Sequence, residues 1–596
     1  MPDRRYAVTA ASCDNVAVSM PTPVSDFLDV YTASRRLALG VPHQVEIADH
    51  GRSVLFLRTR TAPAPLTCLW RAEGGGERLE VVAAPAELSD QPHLMPEEDR
   101  VLQRRTRSVA TGITAYSSTQ DQELVAFTVA GQLYALRPGA GVARRLPVPG
   151  GVHGVSLSPS GNRIAYRRAG GLLGKDLRGA ETHLVAAEPD VTWGMAELIA
   201  AEELGRASGF WWLPDNEHLL VARVDETAVD RWWFTDLAVP GTPPTAVRYP
   251  AAGRPNADVS LHVLGLDGRR TPVDWQRKEF PYLLRAVVID GQPLAVVQSR
   301  DQRRIVALTI DPETGGTMRR YEERAAHGLS VSGAAVGSLA DGTLARLVED
   351  GDARRLQVGP CLVSPPDQQV RDLVVVRDEA VVYTAWTNPR EVHVWRWTEA
   401  AGAQPLTEAA GVHAASASAG GLVIRSDLLS QSRSEISTHP WEGAGFAVPT
   451  VGADLRVQPQ PDFLRLTVRE LEAALLLPSD PGVTTSLPVL LDPYGGPGGQ
   501  MVTASRRSYA LSQWFADQGF AVLVIDGRGT PGRGLDWEHA VDGDLATTTV
   551  ADQVDGLLAA AAADRQLNLS SVGYRGWSFG GFLGLQLALR HGDLIR

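Results

Sequence analysis

The hexapeptide Gly576-Trp577-Ser578-Phe579-Gly580-Gly581 carries the residues best suited to chemistry. It fits G-x-S-x-G and lies between an apolar run, SVGYRG (571–576), and a run with helical spacing, GFLGLQLALRHG (581–592). A sharp strand-to-helix turn at a serine crowds the backbone two positions before and two after it. Glycine at 576 and 580 removes the side chains that would clash. The turn lifts the Ser578 hydroxyl above the sheet edge, where the helix N-terminus and the Phe579 amide can face a developing oxyanion. That chemistry is acyl transfer through a seryl ester. The plain alternative is a Gly-rich turn with no role, and the strand–turn–helix context argues against it.

Two further groups are candidates. Tyr494 lies in DPYGGPGGQ (492–500), where glycines let the backbone approach a ligand and a phenol can donate to an alkoxide. It could equally be a tyrosine packed on a turn. In WGMAELIAAEELGRASGFWW (193–212), a short helical stretch interrupts a strand pattern and carries Glu197, Glu202 and Glu203, followed by Arg206. Two adjacent carboxylates can hold a primary ammonium, and an α-amino group is largely cationic near neutrality. Most Glu-Glu pairs are solvated helix faces, and the residues alone leave both readings open.

These groups need elements to position them. From about residue 45 to 455, polar turns alternate with short apolar runs of period 2. Examples are DHGRSVLFLR (49–58), TQDQELVAFT (119–128), SPSGNRIAYR (158–167), LPDNEHLLVAR (213–223), DGQPLAVVQS (290–299) and DEAVVYTAW (378–386). Repeated hairpin-sized antiparallel units predict a β-propeller. Near 455 the grammar changes. LPVLLD (487–492) and FAVLVIDGRG (520–529) read as buried strands, and SYALSQWFADQG (508–519) and TVADQVDGLLAAAAAD (549–564) as helices. This alternation predicts a parallel sheet covered on both faces.

Composition bounds the rest. The 596 residues are too many for one core. The formal charge of −12 argues against nucleic acid or an anionic membrane surface as the main partner. Cys13, Cys68 and Cys361 have neither disulfide nor metal-ligand spacing, so neither a metal nor another cofactor is expected. There is no apolar run of signal-peptide or membrane-span length, which makes a cytoplasmic protein the default expectation.

GWSFGG (576–581), PYGGPGGQ (493–500) and IDGRGTPGRG (525–534) resemble the hydrolase domain of the prolyl oligopeptidase family. AEELGRASGFWW (201–212), RYPAAGRPNADVSLHV (248–263) and VQSRDQRR (297–304) resemble its dipeptidyl peptidase IV branch. The resemblance implies a β-propeller domain (45–455) over an α/β-hydrolase domain (456–596), with residues 1–44 packing on the hydrolase. By resemblance, Ser578 is the nucleophile, and Tyr494 with the Phe579 amide forms the oxyanion hole. Glu202 and Glu203 would hold the free N-terminus of a peptide, so that dipeptides are released, with Pro or Ala preferred at the second position. Phe579 stands where many members have tyrosine, which puts the strength of the proline preference in question. Arg206 is a further possible substrate contact, and a homodimer is implied because family members are often dimeric.

The triad order in α/β-hydrolases is Ser, then Asp or Glu, then His. His591 is the sole histidine after Ser578. At 1.5 Å per residue it lies about 20 Å along the helix axis, out of reach of the hydroxyl. The chain reads as truncated after its nucleophile. Other readings are an acylaminoacyl peptidase or oligopeptidase of the same fold, or a non-catalytic propeller that binds peptide N-termini. The expected outcome is little or no turnover of Gly-Pro-anilide by this chain. Clear turnover that disappears on Ser578→Ala would overturn that expectation.

Overall fold

The computed structural model describes residues 24–595 except 63, 77, 97–98, 102, 104–110, 140–141, 180, 236, 238, 240 and 481–485. Cys13 and the first 23 residues of the N-terminal segment lie outside the described residues. Within residues 43–440 the described strands form seven antiparallel sheets in chain order. The last has seven strands, and its halves meet through a single parallel bridge, Val392 to Val412. A separate hairpin, Arg231–Phe234 with Thr245–Arg248, stands off the fourth sheet.

The six turn-plus-strand segments read from the sequence become Ser53–Thr59, Val125–Val129, Arg163–Arg168, His218–Asp225, Gln292–Gln298 and Ala380–Asn388. Each pairs on both edges. What makes them legible is the run of buried, mostly apolar residues at the centre of each strand. Two of the turns before them are tied by an aspartate: Asp121 Oδ1 accepts from the Glu123 amide, and Asp215 Oδ1 from the Glu217 and His218 amides. Asp301 Oδ1 accepts from the Arg303 amide in the same way in the turn after Gln292–Gln298. The first sheet lies against the last: the Ile47 amide donates to Ser418 Oγ, and the Gly420 amide donates to the Ile47 carbonyl.

From residue 462 onward a five-stranded sheet follows. It is mixed, not wholly parallel as the sequence suggested. Asp462–Arg465, Glu472–Leu476 and Ala521–Asp526 pair antiparallel, whereas Leu487–Leu491 lies parallel to both Ala521–Asp526 and Leu567–Tyr574. The two leading strands have no crossover helix between them, and a short connection permits only antiparallel pairing. Alternation along Ala521–Asp526 sends Leu523 and Ile525 toward Leu557 and Ala560 of helix Thr547–Ala563. Val522 and Val524 face the other way, toward Tyr509 and Ala516 beside helix Ala510–Ala516. Helix Val24–Ala33 packs on this region, with Phe27 stacked on Trp514 at 6.3 Å.

The two regions meet along several bonds. The Ala504 amide donates to the Arg390 carbonyl, Trp386 Nε1 donates to Gln500 Oε1, and Gln500 Nε2 donates to the Pro389 carbonyl. Asp352 accepts from the Leu535 amide through its carbonyl and from the Asp536 amide through Oδ1, at the start of helix Leu535–His539. No helix among the described residues is long and apolar enough to cross a membrane.

At the end of its strand, Asp526 is buried and accepts from the amides of Met501 and Val502, which pins the 493–502 loop to the sheet. Burial pushes its carboxyl up to about 7, against the pull of those two amides. A free aspartate titrates near 3.9. Because the folded value is raised, the stabilisation linked to this group is fully present below about pH 4 and is lost as pH rises toward 7. Asp526→Asn keeps an acceptor without the charge. Its thermal midpoint relative to the unsubstituted protein should therefore rise between about pH 4 and 7. A flat difference over that range would show that Asp526 titrates as an ordinary carboxylate.

Candidate active site

The nucleophile turn is built from the parallel ladder upward. Strand Leu567–Tyr574 runs beside Leu487–Leu491, and the Arg575 amide extends the ladder to the Leu491 carbonyl at 2.8 Å. The Asp492 carboxylate, one residue beyond that strand, accepts from Arg575 Nη1 at 2.5 Å and from Ser512 Oγ at 2.8 Å. Burial pushes the Asp492 carboxyl up, and the Arg575 guanidinium pulls it back. Both strand ends are thus clamped directly under the turn.

Ser578 then adopts φ 54° and ψ −120° and caps helix Phe579–Arg590. A non-glycine residue at positive φ is held only where its surroundings over-determine it. Here they do. A Cβ at Gly576 would fall 2.3 Å from the Gly580 carbonyl oxygen, and one at Gly580 would fall 2.5 Å from the Pro493 carbonyl oxygen. Tyr574 Oη closes the turn by donating to the Gly580 carbonyl at 2.7 Å.

The Ser578 side chain is exposed, and its hydroxyl has no hydrogen-bond partner among the described residues. The Phe579 amide is the first of the helix and so has no intrahelical acceptor. The ring of Tyr494 rests against that of Phe579, centroids 5.8 Å apart. The structure therefore brings Ser578, Phe579 and Tyr494 together. His591 caps the far end of the same helix. Trp577 is 72% exposed with the Arg36 guanidinium 4.9 Å from its ring centre, and Leu585 and Leu589 on the same helix are also exposed.

The glutamates lie in the antiparallel region. Helix Leu198–Glu202 ends at Glu203, and both Glu202 and Glu203 are exposed, with no ion pair or side-chain hydrogen bond among the described residues. A cavity of about 1440 Å³ opens between the two regions. Glu203, Tyr282, Arg354 and Trp386 line it on one side, and Pro497, Gln500, His539 and Phe582 on the other. Ser578, Tyr494 and Glu202 are not among its lining residues. The Phe582 amide, which donates to the Ser578 carbonyl at 3.1 Å, marks how close the cavity comes to the nucleophile turn.

Arg206 is not where a substrate contact would be. It is buried at 6% exposure, and its guanidinium donates to Glu197 Oε2 at 2.7 Å, to the Leu283 carbonyl at 2.9 Å and to the Ser208 carbonyl at 3.0 Å. Its position three residues past Glu203 suggested a partner for ligand. In fact it anchors the helix whose end presents the two carboxylates. Glu197, named in the sequence beside the pair but given no role there, is its partner. The small residues Ala196, Ala200 and Ala201, which pack into one cluster, were the signal that this stretch is buried on one side.

The comparisons with known proteins agree with this architecture. Residues 128–424 match the dipeptidyl peptidase IV (DPP IV) N-terminal region, and residues 507–596 match the prolyl oligopeptidase family. The chain belongs to the dipeptidyl peptidase IV-like branch of the prolyl oligopeptidase family. It is 34% identical over 128 residues to dipeptidyl peptidase 8 of Mus musculus, covering 21% of this chain and 14% of that protein. It is 23% identical over 500 residues to the probable dipeptidyl-aminopeptidase B of Coccidioides posadasii (strain C735), covering 73% of this chain and 54% of that one. The chain thus spans about half, or less, of the length of these relatives. Its fold is similar to the crystal structure of Porphyromonas gingivalis dipeptidyl peptidase 4, with a TM-score of 0.78 and 18% identity, over 96% of this chain and 83% of that one. These likenesses imply a propeller part and a hydrolase part.

The buried Glu197–Arg206 pair yields a stability prediction. Arg206→Met should cost about 3–5 kcal/mol, because it leaves Glu197 buried and unpaired. Glu197→Leu combined with Arg206→Met should cost less than Arg206→Met alone. Urea unfolding of these two variants and the unsubstituted protein measures this, and a double-variant loss as large as that of Arg206→Met alone would refute it.

Proposed function

We propose that this chain carries the nucleophile and the N-terminus-binding half of a serine-type dipeptidyl peptidase. The observation that carries the reading is Ser578 held at positive φ on a parallel-strand-to-helix turn, its hydroxyl exposed beside the first amide of the helix. In this reading the Ser578 oxygen attacks a peptide carbonyl, and the carbonyl oxygen develops negative charge between the Phe579 amide and the Tyr494 hydroxyl. The base that takes the serine proton is an imidazole, and no imidazole bonds to Ser578 among the described residues. The Phe579 ring offers an aromatic wall to a Pro or Ala side chain at the second position.

Glu202 and Glu203 hold the ammonium of the substrate's first residue. Their exposure without any protein partner among the described residues, with Glu203 lining the cavity, supports this. Recognition of a free amine fixes the distance to the scissile bond and makes the product a dipeptide. We read the antiparallel region, about 45–455, as a closed β-propeller. Its seven sheets, with the last counted as two, make eight blades, and the contact of Ile47 with Ser418 closes the ring. The hydrolase part follows from about 456.

Binding separates the amine site from catalysis. By calorimetry, a Gly-Pro-Ala tripeptide with a free amine should bind at least about tenfold more tightly than its N-acetyl form, which is the scale of a hydrogen bond to a charged group. Glu202→Gln with Glu203→Gln should remove the difference, and Ser578→Ala should leave it intact. Equal affinity of the two peptides for the unsubstituted chain would sink the amine-binding reading.

A further inference from the structure

His327, His539 and Asp542 bring three ligand atoms within 4.8 Å of one another where the two regions meet. His327 belongs to the antiparallel region, just after strand Thr317–Arg324. His539 ends helix Leu535–His539, and Asp542 follows one turn later, its amide donating to the His539 carbonyl. We propose that these three residues form a binding site for a divalent transition-metal ion of the zinc class, which ties the two regions together at the cavity wall.

The distances support this. Asp542 Oδ2 lies 3.3 Å from His327 Nδ1 and 3.1 Å from His539 Nδ1. Ligands about 2.0–2.1 Å from a tetrahedral zinc are about 3.3 Å apart along each edge. Two imidazoles and one carboxylate suit zinc and its neighbours rather than magnesium or calcium, which prefer oxygen. The imidazole rings now lie 4.7 Å apart at 18°, so they must splay slightly to aim both nitrogens at one ion. His327 is exposed and free to do so.

Glu349 lies within electrostatic reach of both imidazoles and of Arg354, and Glu538, beside His539 in the same helix, pairs with Arg354 at 3.4 Å. His539 and Asp542 both line the 1440 Å³ cavity, so water can complete the coordination. Without an ion, Asp542 Oδ2 is hydrogen-bonded to His539 Nδ1 and lies at ion-pair distance from His327 Nδ1, which keeps the three ligand atoms together. Neither the sequence spacing nor the nucleophile chemistry draws on these residues, and the site stands independently of the proposed peptidase reading.

The test is a zinc titration of the full chain after chelator treatment, read by calorimetry and, with cobalt, by the visible absorption of a four-coordinate site. The expected result is one ion per chain and a raised thermal midpoint, with no effect of magnesium. His327→Gln and Asp542→Asn should each weaken binding by more than about tenfold, a loss no smaller than that seen for removal of outer-shell partners. Their circular dichroism should match the unsubstituted protein, since both residues are at the surface. Zinc binding that is absent from the unsubstituted chain, or unchanged in His327→Gln, would overturn the proposal.

Discussion

Ser578 can occupy its strained backbone conformation only because four contacts, made by residues 491–493 and 574–575, brace its turn. The parallel ladder carries Arg575 to Leu491, the Arg575–Asp492 pair locks the two strand ends, and the Tyr574 hydroxyl holds the Gly580 carbonyl. Pro493 then closes on Gly580 so tightly that no side chain fits between them. Because the same Pro493 begins the loop that carries Tyr494, strain at the serine and placement of the phenol share one cause. Loosening any of these contacts would let the turn relax and move the Tyr494 ring away from Phe579 together with it. The buried Asp526 works at the other end of that loop, where it takes the amides of Met501 and Val502.

A comparable economy appears across the cavity. The exposed carboxylates of Glu202 and Glu203 are supported by a buried charge pair, Glu197–Arg206, whose remaining donors are spent on carbonyls. A five-residue helix has little stability of its own. Anchoring it through a satisfied ion pair lets its C-terminal end present two unpaired negative charges, although the helix dipole opposes negative charge at that end.

The elbow was legible in the sequence because its signal is local: two glycines at fixed offsets from one serine, between a strand and a helix. Six inner strands of the antiparallel sheets were legible for the same reason, since each carries a local run of buried, mostly apolar residues. Leu344–Asp350 and Gly421–Leu428 hold the same inner position but mix in Arg, Glu and Asp, and they carry no such signal. The mixed character of the five-stranded sheet depends on which strands pair, and no single segment records that. Arg206 was misread as a ligand contact because nearness in sequence to Glu203 says nothing about which side of a short helix a side chain leaves. Only the contact with Leu283, far along the chain, decides it.

The relation between the two halves of the site belongs to the interface, and neither region sets it alone. The carboxylates are fixed to the antiparallel sheets, and the serine to the mixed sheet. Between them stand the Asp352 cap on helix Leu535–His539, the Gln500 bridge to Trp386 and Pro389, and the Ala504–Arg390 bond. In the proposed reading, the number of residues between the held amine and the attacked carbonyl is therefore set by backbone and polar contacts remote from both. His327, His539 and Asp542 lie in this same seam. An ion held there would stiffen this seam and, in the proposed reading, help fix where a peptide is cut without touching the peptide itself.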